Sequence, residues 1–399
     1  MSKEIRKEGN TITIETYTGD LVIEDEVTIS SPSGKIEILG TLVCEENITF
    51  RGSLVAKSFY AEEDADVHGD LIVSEEIECG GSLVVQGNVQ AKNAEVGDRC
   101  EVIGSFTATN IEIGGRFVCD SKLEAKSVEV GGRLQADSLS VRNLEVGGSF
   151  SVAHSADIRN LEVGGTAELA SGGVTRHIEI GGILLSGGPL NFQTLEVGGE
   201  IEVNGELTGN QAEIGGKIRV IGETALEESL EIGGKGIFEG NLKAEAIEVG
   251  GNLTVNGDLF VSEDLEVGGS ATIDGAVEAS DVEIGAKLQV EKLKADRVEV
   301  GGKVTVKKYL YASSFEVGRN AKVLGTIVAN RIEIGSDSEV ENLIGRDIGI
   351  GRRTKAFGIV QFVDSLESDG EVEFASSPQQ IDKLPTLEEL EANAAEEVG

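Results

Sequence analysis

From residue 78 to residue 333 a glutamate returns every 16 to 18 residues, each time inside the word apolar-Glu-apolar-Gly-Gly or a close variant of it. The series is Glu78, Glu95, Glu112, Glu129, Glu145, Glu162, Glu179, Glu196, Glu213, Glu231, Glu248, Glu266, Glu283, Glu299, Glu316 and Glu333. In Leu144-Glu145-Val146 and its equivalents the acid stands between two apolar neighbours, so an extended strand turns it away from the side they bury. If successive words stack, the carboxylates form a column with neighbours about 4.8 Å apart. At that spacing two like charges in water repel by ~0.9 kcal/mol before salt screens them. Such a column can remain a hydrated charged face, attract counter-cations, or dock a cationic protein surface. Basic residues just past the glycine pair, namely Arg116, Arg133, Lys217, Lys235, Lys287 and Lys303, are a further expected offset. The stretch from Glu112 to Glu299 is the expected acidic interaction face.

Where the series ends, Gly349 takes the glutamate position and a basic group follows: Arg346, Arg352, Arg353 and Lys355. Compensation of nearby acids is the simple reading. A contact of Arg352 and Arg353 with the acidic face of another molecule is the sharper one, and these two are the expected assembly contact.

Other chemistry is poorly supplied. Cys44, Cys79, Cys100 and Cys119 lie 35, 21 and 19 residues apart, none of which is a zinc-site spacing, and His68, His154 and His177 form no H-x3–5-H pair. The cysteines read as reduced, structural thiols. No Ser-His-Asp or Cys-His set, Walker motif or strand-borne G-x-G-x-x-G appears, and the nonapeptide calcium pattern is missing. The expectation is a protein with no cofactor, no metal and no catalytic activity.

Composition says what must hold these residues in place. Among 399 residues there are 54 Gly and only 4 Pro, which calls for many tight turns and few breaks. Acids outnumber bases 71 to 34, a formal charge of −37, which argues against nucleic acid and against direct binding to an anionic membrane. No apolar run reaches the ~20 residues of a membrane helix, and Met1 to Lys7 lacks the apolar core of a secretory signal. A cytoplasmic protein is expected.

The first glycines of the repeated words fall between 80 and 351 at a mean spacing near 17. Within the unit that starts at Ile247, the pairs Ile247/Val249, Leu253/Val255 and Leu259/Val261 alternate as a half-buried strand does, and Gly250-Gly251 and Asn256-Gly257 separate them. Steps of 16 residues lose their residue near the second corner and keep the pairs Leu139/Val141 and Leu293/Ala295. The sequence therefore predicts an all-β fold: a single-stranded parallel β-helix solenoid of triangular cross-section. It has about 17 residues per coil and roughly 21 coils over residues 11–375. Residues 1–10 read as a polar tail. Residues 376–399 read as an acidic tail with a short capping helix near 386–396, because Pro385 precedes the capping box Thr386-Leu387-Glu388-Glu389.

The repeated unit Leu144-Glu145-Val146-Gly147-Gly148-Ser149-Phe150-Ser151-Val152 resembles the core of bactofilins, the polymer-forming cytoskeletal proteins. The resemblance covers roughly residues 11–375. It implies a right-handed β-helix whose protomers join end to end into nucleotide-independent, non-polar filaments that scaffold cell shape or localise other proteins. Departures are the much longer solenoid and the lack of proline-rich flanks and an apolar membrane-targeting segment. The partner it implies is a second copy of the chain. A rod-shaped adaptor presenting its acidic face to a cationic partner is the alternative.

Overall fold

The computed structural model describes residues 6–8 and 10–396. It is a parallel β-solenoid of about 22 turns with about 17 residues per turn. The chain divides into two compact units, one ending at Gly198 and the other beginning at Gly199.

In the first unit a coil such as 93–107 consists of the strands Asn93–Val96, Arg99–Val102 and Phe106–Thr107. Each pairs in parallel with its counterpart one coil later: Glu95 with Glu112, Cys100 with Phe117, and Phe106 with Leu123. Inward residues form continuous columns, and Ile77, Ala94, Ile111 and Val128 lie one above another with at most 3% of their surface exposed. Edge-to-face ring pairs, Phe50 with Phe59 and Phe106 with Phe117, fill the wider places.

The second unit repeats the plan. Ala246–Val249, Asn252–Val255 and Leu259–Val261 make one coil, and all six of its expected inward residues are buried. The 16-residue steps after Gly131 and Gly285 each carry a register shift at the second corner, between Cys119 and Lys122 in one unit and between Ile273 and Ala276 in the other. The pairs Leu139/Val141 and Leu293/Ala295 stay buried. Deletion at a corner removes no inward side chain, so the packed columns continue across it.

At the first described coil, Arg6–Glu8 pairs antiparallel with Thr11–Thr13, which in turn pairs in parallel with Thr28–Ser30. Residues 1–5 and 9 of the expected polar tail lie outside the described residues. At the other end Glu373–Phe374 and Gln379–Gln380 pair back onto Lys355–Ala356 and Gln361–Phe362. The helix α1 (Leu387–Glu396) follows. Its first turn is closed by the expected capping box: the Glu389 amide donates to Thr386 Oγ1 at 3.3 Å and the Thr386 amide donates to Glu389 Oε2 at 2.8 Å. Instead of lying over the last coil, α1 packs against the side of the solenoid, where Leu390 joins Tyr309, Val328 and Ile344.

The paired glycines are needed because corners stack as closely as strands do. A Cβ on Gly114 would overlap the carbonyl oxygen of Gly97 one coil earlier, and one on Gly131 would overlap that of Gly114. At Gly173, by contrast, the nearest atom would be 3.4 Å away. Gly114→Ala should therefore lower stability by about 1–3 kcal/mol through overpacking, whereas Gly173→Ala should change it by less than about 0.5 kcal/mol. Denaturant unfolding of the two variants beside the parent chain measures the difference.

All four cysteines are free and buried. Burial pushes the Cys44 and Cys79 thiols up to about 12, and Cys100 rises well above the ordinary thiol value for the same reason. Since the thiolate is the reactive form, these groups stay protonated and inert at neutral pH. Titration with a chromogenic disulfide should find essentially no reactive thiol in the native protein and all four after denaturation.

Candidate functional site

The glutamate column forms because the register is kept. Within the first unit Glu78 lies beside Glu95, Glu95 beside Glu112, and Glu162 beside Glu179. Within the second, Glu231 lies beside Glu248, Glu266 beside Glu283, and Glu299 beside Glu316. The side chains face outward, between buried neighbours such as Ile247 and Val249. Every member is exposed except Glu299 and Glu333, which are half-buried.

Those two are also the members with an arginine partner. Arg297 Nη2 lies 3.0 Å from Glu299 Oε2, and Arg331 Nη2 lies 3.1 Å from Glu333 Oε1. Each arginine precedes its glutamate by two residues, which puts both side chains on the same outer face. Two of the basic residues just past the glycines, expected to offset the column, bond to other groups. Arg133 donates to Ser149 Oγ at 2.9 Å and Lys287 donates to Gln289 Oε1 at 3.2 Å. From there a side chain meets its own strand face before it reaches across the corner.

The position two residues before the glutamate builds a second outward column, which the expected site did not include. In the first unit it is amide-rich: Asn110 Nδ2 donates to Asn93 Oδ1 at 2.9 Å, and Asn160 Nδ2 donates to Asn143 Oδ1 at 2.7 Å. Further along this column His177 Nδ1 and Thr194 Oγ1 are 2.7 Å apart. These neutral ladders bind one coil to the next beside a row of like charges. Sequence spacing alone identifies the column, since Asn93, Asn110, Asn143 and Asn160 all stand two residues before a column glutamate.

The basic group lies beyond the last glutamate, where Gly349 pairs with Glu333. A Cβ on Gly349 would run into the Glu333 carboxylate, which lies across it. Three of the four basic side chains are held within the chain. Arg353 grips Asp337 through Nε at 2.5 Å and Nη2 at 2.7 Å, Arg346 pairs with Asp364 at 2.8 Å, and Lys355 pairs with Glu373 at 3.2 Å. The hydrogen bonds from Arg353 hold the Asp337 carboxyl below the usual carboxylate range, and the charges of Arg352 and Arg319 add to the effect. Arg352 is exposed beside this pair.

A further surface lies on the side of the second unit. Tyr309 and Tyr311 flank the inward Leu310, and Tyr311 stacks on Val328, which stacks on Ile344. These are outward positions, yet Tyr309 is 4% and Val328 0% exposed because α1 covers them. Half-buried Ile381, Leu384 and Leu387 complete the contact. Tyr309 donates its hydroxyl to Glu391 Oε1 at 3.2 Å, and Lys292 Nζ lies 3.9 Å from the same carboxylate. Burial first, then the charge and hydrogen bond of Glu391, push the Tyr309 phenol up to about 12. The signal in the sequence is a break in alternation: Tyr309-Leu310-Tyr311-Ala312 has no polar outward residue.

Among the described residues no three His, Cys, Asp or Glu side chains gather as a metal-binding group, and no helix is long and apolar enough to cross a membrane. His154 and His68 each meet an aspartate, Asp137 at 2.7 Å and Asp66 at 3.2 Å, and Ser138 Oγ donates to the other oxygen of the Asp137 carboxylate at 3.2 Å.

Against known families, residues 195–292 match the model named Bactofilin, described as polymer-forming cytoskeletal. The matched segment holds the coils that carry Glu196 to Glu283. No curated protein and no solved structure matches the chain.

Because most column glutamates have no cationic partner among the described residues, their repulsion should show in the salt dependence of stability. Glu248→Gln with Glu266→Gln should raise the low-salt thermal midpoint, each relieved neighbour contact being worth up to ~0.9 kcal/mol. The gain should vanish in molar salt. Thermal melts of parent and variant across a potassium chloride series read both effects. An equal shift at every salt concentration would trace the change to packing rather than charge.

Proposed function

We propose that this chain, whose residues 195–292 match the bactofilin model, is a bactofilin-family protein that self-assembles end to end into nucleotide-independent filaments that act as a cytoplasmic scaffold. The observation that carries this reading is the state of the two outermost coils. A solenoid coil buries its inward residues only against the coils on either side of it. In the first described coil Ile12, Tyr17 and Leu21 occupy inward positions, since they pair with Ile29, Ile38 and Leu42, yet they are half-exposed. In the last coil Leu366 and Phe374 pair with inward Ile348 and Ala356 and are likewise half-exposed. Exposed beside this second group are Phe357 and Ile359. The strands Glu373–Phe374 and Gln379–Gln380 have no partner on their outer side among the described residues, and α1 lies elsewhere.

Apolar side chains and unpaired strand edges at the same place are what another molecule satisfies by continuing the sheet. The glutamate face would then serve the assembled filament as its charged side, screened by counter-cations or covered by a cationic partner. No step of this assembly needs a nucleotide, because the joint would be made of the same ladder hydrogen bonds and apolar contacts as the body.

Negative-stain electron microscopy of the full chain, without nucleotide, at low salt and in molar potassium chloride tests the proposal. Long unbranched filaments one solenoid wide are expected, and they should be lost in a Phe374→Asp variant. Separate particles in both salts, or filaments unaffected by that variant, would defeat the end-to-end reading.

A further inference from the structure

The side face under α1 differs from the rest of the outer surface in a way the coil repeat does not require. One column on this face runs through Phe260, Glu278, Lys294, Tyr311, Val328 and Ile344. It changes from mixed and charged to wholly apolar where the helix lies. The face is built on ladder strands and keeps its form whether or not anything covers it. The helix is less secure. Its span is 10 residues, below the length of ~12–15 residues at which even a good sequence is marginally helical alone. Through residue 392 it buries one side chain, Leu390 at 7% exposure. The remaining contacts are half-buried leucines, Ile381, and the two polar contacts of Glu391. The helix therefore folds as it docks, and releasing it costs far less than disturbing a coil.

We propose that this face is a docking site for a short acidic amphipathic helix, and that its occupant in the assembled protein is the α1 of a second copy, exchanged for the chain's own. Chemistry on the face selects that occupant. Leucines three residues apart, Leu387 and Leu390, meet the Tyr309–Val328–Ile344 patch, and an acid immediately after them meets a tyrosine hydroxyl and the Lys292 ammonium. The segment that displays this pattern at hand is the chain's own, so an identical helix from a neighbour satisfies the face in the same way. Exchange of an identical element is a low-cost route to association, because every interaction given up within one molecule is remade between two. Local concentration favours it wherever copies are held close together. The link it makes is side to side and does not depend on the end-to-end reading.

A complementation experiment with full-length chains isolates the exchange. One variant carries Leu390→Asp, which spoils the helix and leaves the face; the other carries Val328→Asp, which spoils the face and leaves the helix. Both also carry Phe374→Asp to weaken any end contact, and any lengthwise assembly that survives is present in each variant alone. Sedimentation velocity of each variant and of their mixture at the same total concentration reads the result. The mixture is expected to show a species, absent from either variant alone, with the mass of one copy of each. A mixture that sediments as the plain sum of its parts overturns the proposal. Circular dichroism checks that both variants keep their strand signal. If Val328→Asp fails that check, a fluorescent peptide of residues 381–399 is titrated onto the Leu390→Asp chain instead. A rise in anisotropy that is weaker on the parent chain, whose own helix competes, supports the site; no rise on the variant overturns it.

Discussion

The governing constraint is that no coil of this protein can satisfy itself. Its backbone amides and carbonyls point along the axis, and above and below its inward side chains are covered only by those of the coils before and after. Ile247 is buried because Leu230 and Leu265 lie on either side of it. From this follows the close period, since a change in strand register would turn inward residues outward. So does the tolerance of one-residue deletions at corners. The same closeness brings the carbonyl of one corner glycine against the next, which makes Gly97, Gly114 and Gly131 a matched set.

Faithful stacking also forces like onto like on the outside. What is efficient for leucine and valine is awkward for glutamate, and the column shows how the strain is distributed. It is not neutralised residue by residue: Arg297 and Arg331 draw Glu299 and Glu333 down onto the surface, and most of the others stand in solvent. Beside them the amide column contributes neutral hydrogen bonds along the same axis. Asparagine suits that place because its side chain is both donor and acceptor, so identical residues can pair where identical carboxylates repel. The face thus combines cohesion between coils with net negative charge, two properties that a single residue type would not provide.

Much of this is legible in the sequence for a physical reason. A coil that depends on its neighbours must repeat its inward residues, and repetition is visible without coordinates. The pairs Ile247/Val249, Leu253/Val255 and Leu259/Val261 and the position of each glutamate can be read directly. The capping box at Thr386 is a local signal and is equally readable. What the period does not encode is harder to see. The seat of α1 joins Tyr309 to Glu391 across 82 residues, and the pairing leaves only a lapse in alternation as its trace. The repeat places many bases past the glycines, which makes them the natural expectation as partners of the glutamates. Geometry favours instead the position two residues before, which only Arg297 and Arg331 fill with a partner charge. The pairing of Arg6–Glu8 with Thr11–Thr13 has no counterpart in the coils of the described residues, so no repeat could announce it.

That last pairing makes the two ends chemically unequal. At the last coil every strand runs in the direction of those below it, and an added coil would meet the same parallel edges as any coil in the body. At the first, one of the three edges is covered by a strand running the other way, while Thr16–Tyr17 and Leu21–Ile23 keep theirs in the parallel sense. A molecule arriving there cannot extend all three ladders as the chain itself does. It must either displace Arg6–Glu8 or accept its outer edge as the new boundary of that face. An antiparallel strand exposes hydrogen-bonding groups as good as those of a parallel one, but in a different spacing and direction. Any joint made at that end would therefore be of a different kind from the contact between successive coils, with its geometry set by the strand Arg6–Glu8.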